Sequence, residues 1–106
     1  MSNGCAVVAS NMIGAAPYLI KHGQNGYMFK SGNLNDLASK VEDLINNPER
    51  RCSFIRNAYD TLKNEWSPVK AVHRLLMLSD SLLSGIDLNI DEGPCSKAEI
   101  YRCFKV

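Results

Sequence analysis

Residues 5–9, Cys-Ala-Val-Val-Ala, form a short apolar run with no polar alternation. Such a run predicts a strand buried on both faces, as in a parallel sheet. Ser10 and Asn11 end it, and Gly14-Ala15-Ala16-Pro17 follows. Proline fits the first turn of a helix, where its missing N–H costs no hydrogen bond. Pro17 therefore predicts a short helix through Tyr18–His22, with Gly23 as its stop. This places His22 at a helix end, where its positive form suits the dipole. Gln24-Asn25-Gly26 marks a turn, and Tyr27-Met28-Phe29 reads as a second strand. Strand, helix and strand in this order predict a βαβ unit with a very short crossover.

The pattern then changes to helical spacing. Asn33 is a good N-cap, and Asp36 suits the first turn. Leu34, Leu37, Ala38, Val41, Leu44 and Ile45 recur on one face that is expected to pack inward. Asn46-Asn47-Pro48 ends this helix. The next is expected from about Pro48 to Lys63, with Phe54, Ile55, Ala58, Tyr59 and Leu62 on one side. Ser67 caps and Pro68 opens a third helix, to about Leu83, striped by Val69, Val72, Leu75, Leu76, Leu82 and Leu83. Gly85 stops it. Residues 86–106 have no period, and Asp91-Glu92-Gly93-Pro94 reads as a turn within a tail.

These elements predict an α/β fold of short parallel strands with three following helices. Two short strands are too small a sheet to stand alone, and three helices need more sheet to cover. Residues 1–85 are therefore read as the last piece of a larger α/β domain, and residues 86–106 as its tail.

Composition narrows the function. The 106 residues carry a net charge of +1, and the aromatic residues are not interleaved with basic ones. Neither feature points to nucleic acid. Cys5, Cys52, Cys95 and Cys103 show no metal-ligand spacing. Cys5, inside the apolar run, reads as a buried thiol, and a Cys95–Cys103 bridge is an open alternative. With no leader and no long apolar run, the chain reads as cytoplasmic. His22 and His73 are read as structural or solvated. Lys70, His73 and Arg74 form a basic patch, read either as a membrane-surface contact or as a solvated face. Trp66 reads as a packing anchor before the last helix.

Met1, Gly4, Val7-Val8-Ala9-Ser10, Gly14, Gly23, Asn25-Gly26, Gly32-Asn33 and Asn47-Pro48-Glu49 stand in a distinctive order. Over residues 1–65 this set resembles the C-terminal part of a retaining GT-B glycosyltransferase of the group 1 type, glycosyltransferase family 4. The resemblance implies a Rossmann-like, nucleotide-sugar-binding unit of an enzyme with two such domains. That enzyme would move a sugar from a nucleotide-diphosphate donor to a glycan or lipid-linked acceptor, with retention and with no cofactor or required metal. The family's paired glutamates and the basic residues facing the diphosphate belong to earlier parts of the domain. They have no counterpart here, so no catalytic residue carries over, and the chain alone is expected to be inactive. Many members also have a glutamate where this chain has Tyr18.

The resemblance marks the loop after the first strand as donor-binding, with Ser10, Asn11, Gly14 and Ala15 as candidates. Small residues and backbone N–H groups there suit close approach of an anion. The other reading is that the loop is small because it packs on its own sheet. The implied partners are the donor and the acceptor, with peripheral membrane association at the inner face of the membrane. An unpaired sheet edge also predicts a homo-oligomer. The rival function is a non-catalytic interaction module that keeps the fold.

Overall fold

The computed structural model describes residues 1–97. Its elements are β1 (Val8–Ser10), α1 (Ala16–Leu19), β2 (Tyr27–Phe29), α2 (Leu34–Asn46), α3 (Pro48–Asn64) and α4 (Pro68–Ser84). The strands run parallel, with Val8 opposite Tyr27, Ala9 opposite Met28 and Ser10 opposite Phe29. The α/β expectation, a partial Rossmann-like unit followed by three helices, is met. The chain divides into two compact units, Met1–Ser67 and one that begins at Pro68.

The first strand is shorter than the apolar run suggested. Its ladder opens with Tyr27 N–H donating to Val7 O at 2.9 Å and closes with Asn11 N–H donating to Phe29 O at 2.9 Å. Only three residues of β2 are available to pair, so Cys5 lies ahead of the sheet and is exposed. This corrects the expected buried thiol. A Cys95–Cys103 bridge involves Cys103, which lies outside the described residues, as does the tail beyond Lys97.

α1 stops at Leu19 rather than running to His22. Another helical turn would need the Lys21 N–H, but the Asn25 side chain accepts it at 2.8 Å. Ile20 turns to extended backbone and is buried. Gly23, at φ +77°, therefore serves the turn and not a helix stop, donating its N–H to Gly26 O at 2.9 Å. His22 is consequently not at a helix end, which corrects the dipole reading.

α2 begins as expected: Asn33 Oδ1 accepts from Asp36 N–H at 3.0 Å. A cap of this kind contributes about 1 kcal/mol. The single residue Asn47 separates α2 from α3, and Pro48 opens α3. Asn47 takes φ −118° and ψ 82°, outside the α region that a following proline disfavours. Arg51 Nη1 then reaches back to Leu44 O at 3.0 Å, satisfying a carbonyl near the end of α2.

The core of the first unit contains Ala16, Ile20, Leu44, Phe54 and Ala58. Phe54 meets the Tyr27 ring edge-on at 4.9 Å. The expected stripes are only partly inward. On α3, Phe54 and Ala58 are buried, while Tyr59 is 51% exposed. On α2, Leu44 is buried, but Leu34, Ala38, Val41 and Ile45 are exposed. Those four recur at helical spacing on one side, and a sheet of two strands is too narrow to cover them. Val41 and Ile45 join Ala6, Val8, Leu44 and Arg51 around an apolar cavity of about 340 Å³. In the second unit no residue of α4 is buried. Val69, Val72, Leu75, Leu76, Leu82 and Leu83, the expected stripe, are all exposed. Arg74 holds the turn after α4 by donating to the Glu92 and Pro94 carbonyls.

Two carboxylates tie α2 to its surroundings. Asp36 accepts from Lys30 N–H at 2.8 Å and pairs with Lys40. Asp43 accepts from Tyr27 Oη at 2.7 Å, from Arg50 at 2.9 Å and from Asn47 Nδ2 at 2.8 Å. Lys40, then the Lys30 N–H, holds Asp36 below the ordinary aspartate range. Tyr27, then Arg50, does the same for Asp43. Depressed carboxylates stabilise the fold above their unfolded pKa of about 3.9 and lose that contribution as pH falls through the lower folded value. Thermal melts should be insensitive to these groups above about pH 5 and weaken below about pH 4. A double variant, Asp36→Asn with Asp43→Asn, should show a shallower acid decline than the parent chain.

Candidate functional site

Parallel strands present their ligand-facing loops at their carboxyl ends. Here those loops are residues 11–15 after β1 and residues 30–33 after β2. The Ser10 hydroxyl accepts from Met12 N–H at 3.2 Å, and its carbonyl accepts from Ile13 N–H at 3.2 Å. This folds the first loop into a tight turn. Asn11 Oδ1 accepts from Ser31 N–H at 2.9 Å, latching one loop to the other. Ser10 and Asn11 therefore shape the site from within.

Gly14 and Ala15 are placed differently. A Cβ at Gly14 would meet nothing within 4 Å, so close packing on the sheet does not require glycine there. Ala15 is the exposed N-cap of α1 and makes no side-chain cap bond. Ala16 alone of the small residues is buried, 3% exposed, and its N–H donates to Ile13 O at 2.9 Å. Packing thus explains Ala16 and leaves Gly14 without a steric reason. Among the described residues, the N–H groups of Gly14 and Ala15 bond to nothing. Pro17 supplies none. The loop also exposes Met12 at 76% and Ile13 at 51%.

Beside this turn lies an open cavity of about 560 Å³ lined by Lys30, Ser31, Gly32, Asn33, Leu34 and Asn35. Ser31 connects it to Asn11 through the loop latch. Lys30 brings a cation to the rim of this cavity, a residue the sequence reading passed over. The available signal was its position, directly after the second strand at the carboxyl end. Lys30, the two N–H groups and the small side chains can receive an anionic, hydrogen-bonding ligand that approaches the backbone.

His22 and His73 lie outside this constellation. His22 Nδ1 accepts from Met28 N–H, and His73 is exposed on α4. Among the described residues, no three His, Cys, Asp or Glu side chains gather to hold a metal ion. No helix among them is long and apolar enough to cross a membrane.

Comparison with known families gives a match. The family model described as Glycosyl transferases group 1 matches residues 1–61. No curated protein and no solved structure matches the chain.

Proposed function

Because the chain belongs to the group 1 glycosyl transferases, we propose that it is the C-terminal part of a nucleotide-sugar-binding domain from a retaining GT-B enzyme of family 4. The parent reaction is hexosyl transfer from a nucleotide-diphosphate sugar to a hydroxyl of a glycan or a lipid-linked acceptor. It takes place in the cytoplasm, with peripheral contact to the inner face of the membrane. The family match over residues 1–61 carries this reading.

The geometry supports it in two ways. The loops at the carboxyl end of the sheet leave backbone donors and open space beside Gly14, suited to a diphosphate. Among the described residues, no strand pairs with the outer edge of β1, and the α2 stripe beside that edge is uncovered. Both features suit a sheet that continues past β1 in a larger domain. Isolated, the same edge and stripe favour self-association of the chain.

In this reading Ser10 and Asn11 hold the loop, and Gly14 and Ala15 let the donor approach the main chain. Transfer needs donor and acceptor held together across a cleft, so the 106-residue chain alone transfers no sugar. The test is to extend the open reading frame upstream and assay both proteins with UDP- and GDP-sugars. The longer protein should transfer sugar and the shorter should not. In the longer protein, Gly14→Val should raise the donor KM several-fold and change stability by less than about 0.5 kcal/mol, since its side chain enters open space. An inactive longer protein with no second Rossmann-like domain would favour the interaction-module reading.

A further inference from the structure

The two edges of the small sheet are finished differently. On β2, Tyr27 N–H and Phe29 O face β1, bonding Val7 O and Asn11 N–H. The N–H groups of the alternate residues, Met28 and Lys30, therefore lie on the outer edge. Each is closed by a side chain. His22 Nδ1 accepts from Met28 N–H at 3.0 Å, and Asp36 Oδ2 accepts from Lys30 N–H at 2.8 Å. Side-chain acceptors in this position occupy donors that would otherwise recruit another strand.

The two caps are chemically different acceptors, an imidazole nitrogen and a carboxylate oxygen. A ring nitrogen that accepts a hydrogen bond carries no proton, whereas both nitrogens of a charged imidazole are donors. Imidazole groups ordinarily change charge between about pH 5 and 8, and carboxylates well below that. The groups around His22 also favour its departure when charged. Tyr27 on β2 lies against the ring at 5.3 Å between centroids. Asp36 on α2 is close enough to interact with the charge on His22, and it pairs with Lys40 one turn further on. Lys21 precedes His22 in the chain. A charged ring is repelled by the Met28 N–H and drawn towards the Asp36 carboxylate.

We propose that His22 is a pH-operated cap on the outer edge of β2. With Nδ1 unprotonated the ring closes the Met28 N–H. When Nδ1 takes a proton from solvent the ring lets go, and the edge donor is free to pair with an extended chain. Asp36 keeps Lys30 N–H closed through the same range, so the edge opens at one position and not along its length.

The test is amide exchange and imidazole nitrogen NMR on the full chain between about pH 7.5 and pH 5.5, the range of imidazole titration. Met28 protection, corrected for intrinsic exchange, should fall about fivefold, the equivalent of one modest hydrogen bond. Lys30 protection should not change. His22→Asn offers an acceptor near the position of Nδ1 but does not titrate, so Met28 protection should become independent of pH. Met28 protection that is flat in the parent chain, or that falls equally in His22→Asn, overturns the proposal. Should the variant fail to fold, the parent chain still decides: a protonated Nδ1 at about pH 7.5 is incompatible with the cap.

Discussion

Asn25→Ala is expected to destabilise the first unit by about 2–4 kcal/mol, enough to threaten a small domain. Asn25 is 2% exposed, and its amide group is used at both ends. Oδ1 accepts from Lys21 N–H at 2.8 Å, while Nδ2 donates to Leu19 O at 3.1 Å and to Thr61 Oγ1 at 3.0 Å. One side chain thus ends α1, shapes the turn before β2 and fastens both to α3. Alanine would remove all three bonds at a partly buried turn, and a desolvated group that loses a partner costs more than the bond was worth. Asn25→Asp separates the contributions. It keeps the acceptor for Lys21 and loses the donors, placing a carboxylate against the Leu19 carbonyl. Urea titrations followed by circular dichroism should rank the parent chain above both variants. A loss below about 1 kcal/mol for Asn25→Ala would show that water replaces the amide at this site.

The neighbouring glycine shows why this feature was only half legible. In sequence, Asn25-Gly26 reads as a turn, and the pair is a common hairpin signal. Here it leads into a parallel strand. Gly26 is required by space: a Cβ there would lie 3.0 Å from Val7 O and 3.2 Å from Ile20 Cγ2. The turn was visible because Asn and Gly tolerate unusual backbone. The partner Thr61 stands thirty-six residues later, and no local pattern announces such a contact.

The same division runs through the rest of the fold. Local chemistry was legible: the Asn33 cap, the prolines that open α3 and α4, and the two strands in order. Burial was not. Helical spacing in α2 correctly marks an apolar side, but it cannot say whether a neighbour is present to cover it. Leu34, Val41 and Ile45 obey the period and are exposed. The candidate site divides similarly. Its position at the carboxyl end of a strand follows from the apolar run and the small residues after it. The Asn11–Ser31 latch and the placement of Lys30 at the cavity depend on how two separate loops meet.

Phe54→Ala should cost about 3–5 kcal/mol, the range for removing a large aromatic from a packed interior. Phe54 is 2% exposed and meets Tyr27 edge-on at 4.9 Å, so truncation removes both burial and a ring contact. Tyr27 also donates to Asp43, which binds Arg50. Loosening its ring would therefore weaken the link between β2 and the junction of α2 with α3. Leu34→Gln is the matched control. Both residues satisfy a helical apolar stripe, but Leu34 is 79% exposed, and its replacement should change stability by less than about 0.5 kcal/mol. Equal losses from the two substitutions would mean that the α2 stripe is covered in solution by a second copy, and sedimentation of the Leu34→Gln chain should then shift to a smaller species than the parent chain.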